Sequence, residues 1–509
     1  MTVVNASPLS RRTSGVLLHI TSLPGAHGCG DLGAEAYHFV DWLVAAGQSL
    51  WQILPLSPVG TGNSPYHSVS TFAGNPLLVD LNDLLRCGWL SAIPPQDFDR
   101  NRCDFEHVAP YRMACLHEAW QGFLQRVQKS EWSEFESFRS EQAHWLKSYV
   151  LFMALEARYG KPWTEWPTEL AQGAPAALAQ ASLEMADELG FFSFIQWRFM
   201  VQWQRLSDYA GSHGVLIVGD APIFVAHHSA EVWGNAGLFL LDERGSPTLV
   251  AGVPPDYFSA TGQRWGNPLY RWDAMADDGF AWWTARLKHL LSFVDVVRLD
   301  HFRGFESYWE IPVDEPTAAV GCWRAGPGKA LFDAIAAAQI GSGAGPLPII
   351  AEDLGVITEA VTQLRQACGF PGMRVMQFAF GDTPANPYLP HNYEKQTVAY
   401  TGTHDNDTSV GWWQAASAKE RFAAGAYLGH LSDAEIHWAM MRSLSQSVAN
   451  TVIFPMQDVL GLGGAHRMNT PGREQGCWVW RFDWFQVGSQ AQRLAELTRA
   501  HGRNLPVGA

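Results

Sequence analysis

Charge is scarce in this chain of 509 residues. Asp, Glu, Lys and Arg together make up 17%, against roughly a quarter in an average globular protein. The shortage is greater on the basic side: 35 Lys+Arg face 50 Asp+Glu, a formal net charge of −15, with no Lys/Arg block anywhere. Nucleic acid and anionic membrane surfaces are therefore disfavoured as partners. No apolar run approaches the roughly 18 residues that span a bilayer, and the stretch at 15–20 behind Arg11 and Arg12 is too short for a secretory signal. The chain reads as soluble and cytoplasmic. Its seven cysteines are scattered singly without a CxxC pair, which argues against a disulfide framework or a zinc site. GxxxxGK[ST], HExxH and GxSxG are missing too, and with them P-loop, zincin and α/β-hydrolase chemistry. The Gly-Leu-Gly-Gly stretch at 461–464 lacks the remainder of a dinucleotide fingerprint and reads as a turn.

Apolar and aromatic residues are plentiful: 47% of the chain is hydrophobic, with 23 Trp, 27 Phe and 13 Tyr. Most of these rings must form core, but rings exposed in a cleft offer the flat faces on which sugars stack. Short apolar runs bounded by Gly, Pro and polar clusters recur at 16–20, 50–54, 215–218, 293–299, 348–351, 374–378, 397–400 and 451–454. Strands buried on both faces of a parallel sheet have this appearance. Helical patterns at 279–291, 330–338 and 358–367 alternate with them, so a closed (β/α)8 barrel is the expected topology. The spacing is uneven. Residues 80–210, with amphipathic helices near 112–128 and 134–159, are expected to form an inserted helical subdomain, and residues 221–290 a set of rim loops. Residues 1–13 are expected to be a flexible tail, and 14–509 one barrel domain.

Polar residues gather where these strands end. The fourth run leads out through Arg298, Asp300, His301 and Arg303, the fifth delivers Glu352 and Asp353, the seventh His404 and Asp405, and the third ends at Asp220. A charge ending an apolar strand is costly unless it is paired or functional. The alternation Arg298-x-Asp300 puts both side chains on one face of the strand, where the guanidinium can hold the carboxylate ionised as a nucleophile requires. Two carboxyl groups across a barrel mouth, one ionised and one protonated, are the machinery of retaining glycoside chemistry. Structure alone would not require three acids at one end.

The segments SGVLLHITSLPG, WQILPLSPVG, NSPYHSVSTFAGNP, GDAPIFVAHHSAEVW, GVPPDYFSATGQRWGNPLYRW, VVRLDHFRGFESYWEIP, AEDLG, FPGMRVMQFAF, YTGTHDNDT and RMNTPG closely resemble the amylomaltase, or 4-α-glucanotransferase (disproportionating enzyme), family. The resemblance runs in order from about residue 14 to the C-terminus. It implies a (β/α)8 barrel with rim insertions and no C-terminal β-domain, in keeping with Trp480 lying close to the chain end. The family's nucleophile then falls on Asp300, its general acid/base on Glu352 and its transition-state-stabilising acid on Asp405. Arg298, His404 and Asp220 match supporting residues, and Tyr66, Trp265, Phe378 and Asn469 match glucan-contacting positions. The chain departs from the family pattern at His227-His228 and at Cys477. Adjacent histidines point apart in an extended segment, so a metal pair at 227–228 is not expected.

The activity so implied is transfer of α-1,4-linked glucan segments through a covalent glycosyl-enzyme. The substrates would be maltooligosaccharides, amylose or glucans derived from starch or glycogen, and no metal or other cofactor is implied. A hydrolase of the amylase superfamily and a catalytically dead glucan-binding protein are the rivals. In the segment 252–266, Tyr257, Phe258 and Trp265 follow Pro254-Pro255. These rings are expected to form a loop over the acceptor side that favours sugar over water.

Overall fold

The computed structural model of the protein describes residues 8–255, 259–339, 346–381, 383–429, 432–473 and 475–504. The strands among them are, in chain order, β1 (Thr13–Leu17), β2 (Leu50–Gln52), β3 (Leu216–Pro222), β4 (Leu249–Val253), β5 (Gln263–Pro268), β6 (Val296–Asp300), β7 (Ser307–Pro312), β8 (Cys322–Ala325), β9 (Ile349–Ala351), β10 (Gly372–Val375), β11 (Thr397–Tyr400) and β12 (Thr451–Pro455). Eight of them, β1, β2, β3, β6, β9, β10, β11 and β12, pair in that order and close on β1, every pairing parallel. This is the expected (β/α)8 barrel. The other four form a separate sheet in the order β5, β4, β7, β8.

The barrel strands are buried on both faces, which is why they read as continuous apolar runs. Several runs outlast their strands. The run at 374–378 is strand only to Val375 and then a 3-10 turn, Met376–Phe378. The run at 16–20 begins earlier, as β1, and passes into the 3-10 turn Ile20–Ser22. Apolarity reports burial: Ile20 and Met376, in the turns past the strand ends, are as deeply buried as the strands feeding them.

Helices cover the barrel, among them Ala34–Ala45 after β1, Ala281–Phe293 before β6, Lys329–Gln339 before β9 and Glu359–Cys368 after β9. Among the described residues, β10 passes to β11 through 3-10 turns alone. Between β2 and β3 the chain builds a thick helical layer from Phe105–Arg126, Lys129–Glu141, Ala143–Tyr159 and Ala186–Ser212. Its centre is aromatic. Phe123 lies 5.0 Å from Trp89, 5.1 Å from Phe194 and 5.6 Å from both Phe135 and Trp197 between ring centres. Much of the tryptophan in this chain is therefore structural. Between β3 and β6 lie the β4–β5 hairpin and two short helices, Ala230–Gly234 and Trp272–Asp277. Gly262 turns the hairpin at φ +68°; a Cβ there would sit 2.3 Å from the carbonyl oxygen of Val253, so only glycine fits. Tyr257 and Phe258 lie outside the described residues.

One expectation needs correcting. Of the tail placed at 1–13, residues 8–13 are part of the fold: Leu9 is buried, and Arg12 donates to the carbonyls of Ser447 and Ser445 at 2.8 and 2.9 Å. Thr13 opens β1. The segment is polar in sequence because its guanidinium caps backbone carbonyls at the base of the barrel.

Candidate active site

Register builds the site. In β3 and β6, Asp220 stands directly beside Arg298, so both side chains project from the same level of neighbouring parallel strands. Arg298 is 3% exposed and grips both carboxylate oxygens of Asp220, at 2.9 and 2.7 Å. Its other terminal nitrogen donates to Asp300 Oδ1 at 2.8 Å, two residues further along the same strand. A buried guanidinium needs such partners. Asp220 spends its negative charge inside the barrel, whereas the Asp300 side chain remains 30% exposed to the mouth. Tyr66 completes the Asp220 shell, donating its phenol proton to Oδ2 at 2.9 Å. Burial and the Asp220 charge hold that phenol well above its ordinary pKa, so it stays a donor.

Glu352 leaves the end of β9 and meets backbone donors only. The amide of Leu354 donates to Oε1 at 2.7 Å and the amide of His301 to Oε2 at 2.8 Å. His301 follows Asp300 directly, so this bond ties the two carboxylates into one mouth. His301 adopts a left-handed backbone there, φ +52°, a conformation uncommon for residues other than glycine. Burial, with the neighbouring Asp300 charge, pushes Glu352 up to about 7, against the opposing pull of Arg298 and the two amides. Asp353, its neighbour in sequence, turns away from the mouth to Arg365 at 3.2 Å, Arg374 at 3.5 Å and the amide of Met373 at 2.7 Å.

The third acid comes from the loop after β11. Asp405 Oδ2 lies 3.2 Å from His404 Nε2, and Oδ1 accepts from the Asn469 amide at 2.6 Å. Burial alone would raise this carboxyl, but His404 and Asn469 carry it far below the usual range. Its side chain is still 41% exposed to the cleft. The His404 ring is held by stacking on Tyr66, 5.1 Å between centres. Trp265 reaches the mouth through His301, its ring edge-on at 4.8 Å. Phe378 stands half-buried after β10, edge-on to Tyr388 at 5.4 Å.

The structure thus brings together Tyr66, Asp220, Trp265, Arg298, Asp300, Glu352, His404, Asp405 and Asn469, with Phe378 on the rim turn after β10. Sequence reasoning did not single out Trp478 or Arg467. Trp478 adopts φ +66° and packs on Tyr66 and His404 at 5.7 and 5.8 Å; Arg467 donates to the carbonyl of Asp405 at 2.9 Å. One tryptophan among 23 carries no signal of its own, and Arg467 acts on a backbone oxygen that no side-chain pattern reveals. His227 and His228 do point apart, to the carbonyl of Gly245 at 2.7 Å and to Glu156 Oε1 at 2.9 Å, and so pin the rim to the helical layer. Cys477 accepts from the amide of Thr470 at 3.4 Å, bracing the loop that carries Asn469.

The sequence profile of the 4-alpha-glucanotransferase family matches residues 18–486. The chain belongs to the 4-alpha-glucanotransferase family. Within that family, the 4-alpha-glucanotransferase of Thermus thermophilus is 48% identical over 96% of this chain and 99% of its own length. That of Synechocystis sp. is 46% identical over 98% and 99%. In structure, the chain superposes on the amylomaltase of Streptococcus agalactiae, solved in complex with acarbose. The TM-score is 0.92 at 38% identity, covering 97% of this chain and 100% of that one.

Proposed function

We propose that the chain moves α-1,4-linked glucan segments between maltooligosaccharides by two displacements at the anomeric carbon, with net retention. Asp300 attacks that carbon while Glu352 gives its proton to the departing glucan, and Glu352 then takes the proton of an acceptor 4-hydroxyl as the glycosyl-enzyme is resolved. Asp405, anionic beside His404, accepts hydrogen bonds from hydroxyls of the distorted sugar, bonds that strengthen in the transition state. Arg298, backed by Asp220 and Tyr66, fixes Asp300; His404 and Asn469 fix Asp405; the amides of His301 and Leu354 fix Glu352. Trp265 and Phe378 offer rings to the glucan.

The observation that carries this reading is the division of charge around Arg298. The guanidinium is committed to Asp220 and Asp300, which leaves Glu352, held by amides alone and near 7, able to give and take a proton around neutral pH. The acarbose complex of the Streptococcus agalactiae amylomaltase supports an oligosaccharide as the occupant of the cleft. Amylose and glucans from starch or glycogen present the same linkage and complete the substrate class. The reaction as written needs no cofactor. The cytoplasm is the compartment proposed, supported by seven cysteines that are all free thiols. Among the described residues, no helix is long and apolar enough to cross a membrane.

Incubation with maltotriose, followed by chromatography, tests the proposal. Transfer releases glucose together with longer oligomers at constant reducing ends. A rise in reducing ends without longer products would assign the chain to hydrolysis instead.

A further inference from the structure

Behind the catalytic loop lies a small pocket of about 20 Å³, lined by polar and apolar groups alike and just large enough for a water, which needs roughly 10–15 Å³. It is bounded by the outlet of β1, the loop after β11 and the segment around Arg467, and its lining includes His19, His404, Thr403, Asn406, Gln457 and Arg467. Two of these side chains are incompletely bonded. The Nδ1 atoms of His19 and His404 are both buried without a protein partner, and the residues are only 5% and 6% exposed. His404 already uses Nε2 on Asp405. An imidazolium has two N–H donors, so a charged His404 needs an acceptor at Nδ1 as well. A neutral imidazole has one unprotonated nitrogen that can accept.

We propose that His19 is a positioning residue for His404: the His404 imidazolium donates its Nδ1–H to one water in this pocket, and that water donates in turn to the neutral Nδ1 of His19, no proton changing owner. The inference rests on the role proposed for Asp405. A water with two polar partners and room to sit is an ordinary element of protein interiors. The charges around His404 favour the arrangement. Asp405 and Asp220 pull its pKa upward against burial and the opposing field of Arg298, while Tyr66 covers one face of the ring. Burial, and the His404 charge itself, push His19 down to about 3, which keeps it an acceptor at any working pH. Asp407 and Arg467 also line the cavity; Asp407 Oδ1 is taken by the amide of Thr408 at 2.7 Å, and Arg467 donates to backbone carbonyls of Asn469 and Asp405. His19 Nδ1 is thereby a buried ring nitrogen of the same lining that has no protein partner and is free to accept. With the relay intact, His404 stays charged and Asp405 stays anionic and fixed for the transition state.

The test is a pH titration of ring-15N-histidine-labelled full-length chain by NMR, with maltotriose kinetics on the same samples. His19→Phe keeps a ring without an acceptor; His19→Asn keeps an acceptor near the position of Nδ1. In the parent, His19 should remain neutral with Nδ1 unprotonated down to about pH 5. His19→Phe should lower the His404 pKa by about one pH unit, the scale of one charge-assisted hydrogen bond. It should also cut kcat about tenfold with KM within about twofold, and His19→Asn should restore both. An unchanged His404 pKa in His19→Phe, or Asn and Phe variants failing alike, would overturn the proposal. So would a proton on His19 Nδ1 in the parent, a result that needs no variant to fold. The titration reads the relay even if the parent shows no glucan transfer, so failure of the proposed function would be seen separately.

Discussion

The helical layer between β2 and β3 and the mouth of the barrel both bury an arginine paired with a buried aspartate, with opposite results. In the helical layer Arg198 lies over Trp89 and Trp197, 4.9 and 4.8 Å from the ring centres, and pairs with Asp83, both side chains under a tenth exposed. Asp83 accepts further from Gln202 at 2.9 Å and from Arg86 and Arg205, each at 3.4 Å. The Asp83 carboxylate there is fully matched and, at 9% exposed, has no open face. In the mouth Arg298 is as deeply buried, but Asp300 and Asp405 keep open faces, and Glu352 has no cation of its own. Buried charge is thus no sign of chemistry in itself. Function lies where the matching is left incomplete toward a cleft.

The comparison is broken most forcefully at Asp300. Asp300→Asn should reduce maltotriose disproportionation by about four orders of magnitude or more, because covalent catalysis is lost, while the melting temperature barely moves. More than about a tenth of parental activity would remove Asp300 as nucleophile. On the opposite side, Phe123→Ala in the helical layer should cost about 3–5 kcal/mol, the usual result of deleting a fully buried ring. Thermal denaturation should show it as a fall of several degrees, with the product pattern of the folded fraction unchanged. An altered product pattern would mean that the helical layer shapes the cleft after all.

Glu352→Gln should lose about 10²- to 10⁴-fold on maltooligosaccharides yet still form the covalent intermediate from α-maltosyl fluoride, whose leaving group needs no proton. Equal loss on both substrates would count against the acid role. Asn469→Ala removes one hydrogen bond to a charged acceptor, worth about 1.5–3 kcal/mol. A loss of kcat/KM of about ten- to a hundredfold is expected, with the His404–Asp405 pair still formed. The smallest effect is one of pH and stability. The folded chain raises Glu352 to about 7, so it holds that proton more tightly than the unfolded chain. The stability this contributes is complete below the ordinary glutamate value of about 4.3 and is lost as pH rises through 7. Glu352→Gln has no such proton to lose. It should match the parent's melting temperature near pH 4 and exceed it by a few degrees near pH 8; a constant difference across that range would place the cause outside this carboxyl.

The sequence by itself determined the barrel and its set of acids. Strands buried on both faces must be apolar throughout, so a charge at the end of such a run, as at Asp300, Glu352 and Asp405, stands out without any knowledge of its neighbours. Strand limits were less legible, because Met376, Phe378 and Ile20, in the 3-10 turns that follow β10 and β1, continue the apolar runs past the strand ends. Only the tertiary structure decided which charges are matched. Asp353 is as acidic as Glu352, but the alternation of side chains turns it toward Arg365 and Arg374, while Glu352 meets two amides. Arg298 could be paired with Asp300 from spacing alone; that it also holds Asp220, 78 residues away, follows from the closure of β3 against β6. The left-handed turns at His301 and Trp478, and the pocket that His19 and His404 both line, have the same origin. Local pattern records what each residue must be buried against water to satisfy, whereas the partner that satisfies it is fixed only when strands remote in the chain come into register.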